Sequence, residues 1–212
     1  LNSEVDPHDR HLRRIFNNER FDQGGRIYGG FWQPMKSELR SSDIRIDDSP
    51  IAELDYAQML LHLCYGQVGK QPPPGDLYEV PSLSERGADR KGIKQVINAV
   101  MFAANPLKRL PKGSRQYFPM DLSFEEILHA ITRHHQPVAR LLFSGVGMTL
   151  MHLESEILVS NLLDLISKRV TSLPVHDALL VPCSQIEVAR KVMLDNFESM
   201  GGVTGKVNVD KG

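Results

Sequence analysis

Hydrophobic and polar positions along the chain fall into segments of two periods. Met59, Leu60, Leu63 and Cys64 recur at helical spacing within AQMLLHLCYG. Ile157, Leu158, Leu162, Leu165 and Ile166 do the same in a long amphipathic helix over residues 153 to 169. Further helices are predicted over 84 to 104, 124 to 135 and about 185 to 199, and residues 8 to 21 read as a short charged helix. Strand-like runs lie between them: 51 to 55 leads directly into AQMLLHLCYG, and 170 to 182 reads as strand, turn, strand. GGRIYGGFWQ is an irregular strand or hairpin, in which Tyr28, Phe31 and Trp32 are read as core packing in preference to a base-stacking platform. Punctuation comes from Gly24-Gly25, Gly29-Gly30, the Pro72-Pro73-Pro74-Gly75 turn, Pro111 and Gly201-Gly202, with no internal repeat. The pattern is α+β with a small sheet, not a regular βαβ winding.

Composition narrows this little. The chain has 212 residues, 41% of them hydrophobic, enough for one sizeable core or two small lobes. No apolar run reaches membrane-span length and no secretory leader is legible, so a cytoplasmic protein is expected. Cys64 and Cys183 both lie in apolar segments and read as reduced core cysteines. The chain begins at Leu1 instead of Met, which reads as a piece of something longer.

The net charge of −1 conceals an uneven distribution. Between Arg86 and Arg115 the bases Arg86, Arg90, Lys91, Lys94, Lys108, Arg109, Lys112 and Arg115 face a single acid, Asp89. Asp43, Asp47, Asp48, Glu53 and Asp55 form an acidic stretch upstream. Placement of charge governs a local electrostatic footprint more than the total does.

Three segments carry candidate chemistry. In VTSLPVHDALLVP two apolar β-prone runs meet at His176-Asp177, and a carboxylate set among Leu and Val is costly unless it reaches water, a partner or a metal. Asp55 ends IAELD just before a helix, where it would serve equally as a helix N-cap and as a ligand at a strand end. Arg90, Lys94, Asn98 and Phe102 lie along one stripe of the middle helix, suited to a triphosphate, a sugar and a base, or else forming an exposed cationic face with Phe102 turned to the core. Two acids that can hold divalent ions and two cations that can hold phosphates are what phosphoryl transfer from a nucleoside triphosphate requires. GGRIYGG lacks the G-x4-G-K-[ST] pattern of a P-loop, and His134-His135 lacks H-E-x-x-H and reads as a solvated helix end.

These segments resemble the motifs of family A DNA polymerases, in the family's order. ELDYAQMLLHL looks like motif A, Arg90-x3-Lys94-x7-Phe102 is similar to motif B, and PVHDALLV resembles motif C. Single-subunit phage-type RNA polymerases share this palm and spacing. The resemblance implies a template-directed nucleotidyltransferase, with primer-template nucleic acid and nucleoside triphosphates as partners. Asp55 and Asp177 would hold two Mg²⁺ (or Mn²⁺) ions about 3.5 to 4 Å apart. Arg90 and Lys94 would bind the triphosphate, Phe102 would stack on a base, and His176 would lie near the primer terminus. Arg26, in a segment similar to the Gly-Arg-Leu run before motif A, would contact primer-template in the minor groove.

In outline this is a palm with a small antiparallel sheet, abbreviated helical fingers and no full thumb. Residues 1 to 50 form the lead-in, 51 to 70 and 117 to 212 the palm, and 71 to 116 a fingers-like insertion. The pattern departs from the family at Leu60 and Ala178, where acids stand, and at Asn98, Phe102 and Ala103 in motif B. Only about fifty residues precede motif A, so low processivity is expected, with a further replication protein or a missing domain supplying grip on the template. Two alternatives follow from the same residues. One is a catalytically silent polymerase relative that binds nucleic acid in a replication assembly. The other is a His-Asp phosphohydrolase, which would require residues 170 to 182 to be helical.

Overall fold

The computed structural model describes residues 5–211. They divide into two compact units: unit 1 runs through Met59 and resumes at Met151, and unit 2 spans Leu60–Leu150.

Unit 1 is built on an antiparallel sheet. Its central strand is β4 (Ser49–Tyr56), paired on one side with β6 (Ala178–Pro182), which pairs in turn with β5 (Leu173–Val175). β7 (Val207–Asp210) and the short β3 (Arg45–Ile46) also pair with β4. Alternation along β4 gives the sheet two faces. Leu54 and Tyr56 look toward α7 (Ile186–Gly201), where the Tyr56 ring meets Phe197 and its hydroxyl donates to the Met193 carbonyl at 2.7 Å. Ile51, Glu53 and Asp55 look the other way. On that face Ile51 and Leu180 pack with Trp32, Ile44, Ile46 and Val175, so Trp32 belongs to the core. Its indole N–H donates to the Pro174 carbonyl at 2.8 Å, and α1 (Ser37–Asp43) places Arg40 against Glu53 at 2.7 Å.

Residues 8 to 21 are not a helix. β1 (Leu12–Phe16) pairs antiparallel with β2 (Gly24–Gly29), and the turn between them holds Asn18 and Glu19 at positive φ. The glycine-rich β2 needs a partner strand for its backbone groups, and that demand outweighs the helical reading of a charged segment.

Unit 2 is helical: α2 (Met59–Gly66), α3 (Pro81–Ser84), α4 (Arg90–Phe102) and α5 (Phe124–His134), with α6 (Val146–Ser167) running from unit 2 into unit 1. α4 starts later than its periodicity suggests because Gly87 takes positive φ and Asp89 caps the helix, accepting from the Lys91 amide. α5 carries a complete capping box between Ser123 and Glu126. α6 starts earlier than predicted, immediately after Gly145 at positive φ, and its last turn leaves Ile166 exposed. His135 corrects the reading of a solvated helix end: it is buried, with Nδ1 bonded to the Tyr65 hydroxyl and Nε2 to the Leu77 carbonyl. Both cysteines are free thiols, Cys64 buried with its thiol pushed up to about 11 by burial. No helix among the described residues is long and apolar enough to cross a membrane.

Candidate active site

Asp55 and Asp177 are brought together by the pairing of β4 with β6. Asp55 lies directly opposite Ala178, and Val175 of β5 completes the same row. Asp177 is the turn residue just before Ala178, so its Cα lies within about 9 Å of that of Asp55, one trans peptide plus one cross-strand step. The N-cap reading of Asp55 does not hold, because β4 continues through Tyr56 and α2 begins only at Met59. His176 and Asp177 form a two-residue hairpin loop with His176 at φ 56°, a conformation such loops usually assign to glycine. Residues 170 to 182 contain no helix, which removes the structural requirement of the phosphohydrolase alternative.

A third carboxylate stands with these two. Glu154, on α6, is 2% exposed and accepts from Arg26 Nε at 2.6 Å. Burial pushes its carboxyl above the ordinary range, Arg26 opposes that shift, and the charges of Asp177 and Asp55 reinforce it. Arg26 in turn feels Asp177 as well as Glu154. Arg26 and Tyr28 share one face of β2, and the Tyr28 ring lies edge-on to His176 with centroids 6.4 Å apart. On the two residues of α6 that follow Glu154, Arg14 donates to Ser155 and Glu156 at 2.7 Å each, so two ion pairs tie the β1–β2 hairpin to this helix.

The donor set suits a hard divalent ion. Asp55, Asp177 and Glu154 lie within electrostatic reach of one another or of Arg26, and the carboxylate oxygens of Asp55 and Asp177 are the donors that could hold such an ion. Among the described residues no group of three or more His, Cys, Asp or Glu is placed to hold a metal ion by itself.

Glu154 escaped the sequence reading, although a signal for it exists. It sits four residues before Leu158 and three before Ile157, on the stripe of α6 that is buried, together with Ser155 and Asn161. A charged residue on an apolar stripe is expensive unless paired, which marks it for attention.

In unit 2, α4 buries Ile93, Val96, Ile97, Val100 and Met101. Arg90 and Lys94 stand on the exposed side. Arg90 forms an ion pair with Asp76, and both cations lie over the Tyr78 ring, at 5.2 Å for Arg90 and 5.6 Å for Lys94. Asn98 is half-buried, and its Oδ1 has no hydrogen-bond partner among the described residues. Phe102 is also half-buried: its ring lies against the backbone of Gly147, so close that a Cβ there would come within 2.7 Å of a ring carbon.

No protein-family model matches the chain, and no curated protein does. Among solved structures the chain is similar to the POL domain of Pol1 from M. smegmatis in complex with DNA primer-template and dNTP. The match has a TM-score of 0.52 and 11% identity, and covers 90% of this chain and 45% of that one. The chain therefore spans less than half the length of that structure. At this identity the likeness concerns the fold: a mixed α+β architecture with small antiparallel sheets and several helices, similar to a polymerase domain.

Proposed function

We propose that the chain is a template-directed nucleotidyltransferase of the DNA polymerase type, extending a primer 3′-hydroxyl in the cytoplasm. The observation that carries this reading is the convergence of Asp55 and Asp177 at one end of the sheet, with the buried Glu154–Arg26 pair beside them. The polymerase-like fold supports it. In the reaction the primer 3′-oxygen bonds to the α-phosphorus of the incoming nucleotide and pyrophosphate leaves.

Asp55 and Asp177 are the residues that would hold Mg²⁺ or Mn²⁺. When bound, the metal supplies activation of the 3′-hydroxyl and neutralisation of the leaving pyrophosphate. Arg90 and Lys94 bind the triphosphate and Phe102 stacks on a base, while His176 and Arg26 contact the primer-template. Binding triphosphate at Arg90 requires exchanging its ion pair with Asp76, and that pair is exposed enough for the exchange to cost little.

A second reading is favoured by one observation: the positions facing Asp55 across the sheet are Ala178 and Asn208, so neither neighbour supplies a further acid. In that reading the chain binds nucleic acid without performing chemistry. Offering dNTPs one at a time to a labelled primer on a defined template separates the two. Addition of the nucleotide complementary to the template, and of that one only, supports the enzyme. Primer-template binding with no addition of dNTP or rNTP supports the silent relative.

A further inference from the structure

Residues 103 to 114 leave the C-terminal end of α4 and return to its N-terminal end, forming a strap along the helix. The outgoing end is fixed by the Gly145 amide donating to the Ala103 carbonyl at 2.9 Å. The returning end is fixed by the Asp89 amide donating to the Tyr117 carbonyl at 2.8 Å and by Tyr117 and Phe118 packed on Gly92. The helix it follows is thirteen residues long, about 20 Å.

The strap sorts its side chains. Leu107, Leu110 and Pro111 are half-buried and Ser114 is buried, with its hydroxyl donating to the Pro111 carbonyl at 2.8 Å. Lys108, Arg109 and Lys112 are exposed, and none of them forms an ion pair with a described residue. Their basic neighbours are committed elsewhere: Arg86 pairs with Asp121 and Glu126, Arg90 with Asp76, and Arg115 donates to the Leu122 and Pro119 carbonyls. The strap itself contains no acid. Three like charges held outward on an anchored loop repel one another, and a polyanion relieves that repulsion.

We infer that Lys108, Arg109 and Lys112 form a docking surface for the phosphate backbone of a nucleic acid. The inference rests on the proposed function for the identity of the anion. No aromatic residue lies between Ala103 and Gln116, so the surface lacks the stacking platforms that grip single-stranded bases. It reads phosphates, and binding through it is independent of sequence.

The test is fluorescence anisotropy with the full chain and labelled duplexes of two unrelated sequences, in EDTA and without nucleotides, across a NaCl series. Three phosphate contacts contribute about 2 to 3 to the slope of log K against log salt. K108A/R109A/K112A is expected to bind more weakly on both duplexes and to show a slope shallower by that amount. K108Q/R109Q/K112Q, which keeps side-chain bulk, should do the same. The control R190A/K191A/K168A removes the same charge and should leave the slope unchanged; Arg190 and Lys191 lie on α7, which packs on the sheet face away from Asp55.

An unchanged slope in both strap variants overturns the inference, as does equal flattening in the control. Strap-dependent binding to phosphatidylserine vesicles with strap-independent binding to the duplexes overturns it as well. Because no chemistry is measured, duplex binding that needs the strap, in a chain that never extends a primer, would sink the enzymatic reading and leave this inference standing.

Discussion

Replacing Glu154 with alanine removes a buried carboxylate and leaves the Arg26 guanidinium without its partner. Breaking a buried ion pair costs about 3 to 5 kcal/mol, because the surviving charge remains desolvated. Here the Glu154 side chain is 2% exposed and that of Arg26 27%, so Arg26 recovers some hydration and also keeps the attraction of Asp177. A loss of about 2 to 4 kcal/mol is expected for E154A. E154Q retains an oxygen acceptor for Arg26 Nε–H and should lose only about 1 to 2 kcal/mol. Arg26→Met with Glu154→Leu replaces the pair with apolar groups and should fall close to wild type. Urea unfolding followed by tryptophan emission suits the measurement, since Trp32 is the only tryptophan and is buried in unit 1, the unit containing the pair. A cost below about 1 kcal/mol for E154A, or equal costs for E154A and E154Q, would refute the claim that this pair holds β2 to α6 beside the acids.

Unit 2 carries a pH dependence of its own. Burial, with the neighbouring His134 charge, pulls the His135 imidazole down to about 4 from 6.5. A base whose pKa is depressed by folding contributes stability that is present above 6.5 and is lost as pH falls toward 4, so about 3 kcal/mol should disappear across that window. Hydrogen exchange of α5 amides should show the loss, and a His135→Gln variant should flatten the profile; a profile still steep in H135Q would contradict it. His176→Gly relieves the positive-φ turn and should raise the stability of unit 1 by about 0.5 to 1 kcal/mol in the same urea assay while weakening primer-template binding. Lower stability would show that the turn does not strain His176. Gly92→Ala gains helix propensity but places a Cβ 2.5 Å from Tyr117 Cβ, so a net loss of about 1 to 2 kcal/mol is expected in thermal unfolding, and a stabilised variant would refute the packing.

Much of unit 1 was legible because strand alternation and turn chemistry agree there. The hairpin over 170 to 182 follows from apolar β-prone runs meeting at a polar pair, and Trp32 follows from its apolar surroundings. Elsewhere the fold departs from the local pattern for physical reasons. Leu12–Phe16 is a strand because β2 needs a hydrogen-bonding partner, a tertiary demand that local charge pattern does not express. β7 leaves little trace in the pattern because Val207–Asp210 has only one buried residue, Val207. His135 is buried through two hydrogen bonds to residues about sixty to seventy positions away in sequence, which the local pattern does not express. Glu154 lies far from Asp55 and Asp177 in sequence, and only the packing of α6 beside the sheet brings its charge to them.

Single-turnover extension by wild type, D55A and D177A, with primer-template affinity measured on the same samples, tests whether Asp55 and Asp177 hold the catalytic metals. Carboxylates that hold the catalytic metals contribute several kcal/mol to transition-state stabilisation, so both variants should lose at least about a thousandfold in rate. Both should bind primer-template within a few-fold of wild type. Extension by either variant at close to the wild-type rate would contradict the assignment of Asp55 and Asp177 as the metal-holding pair.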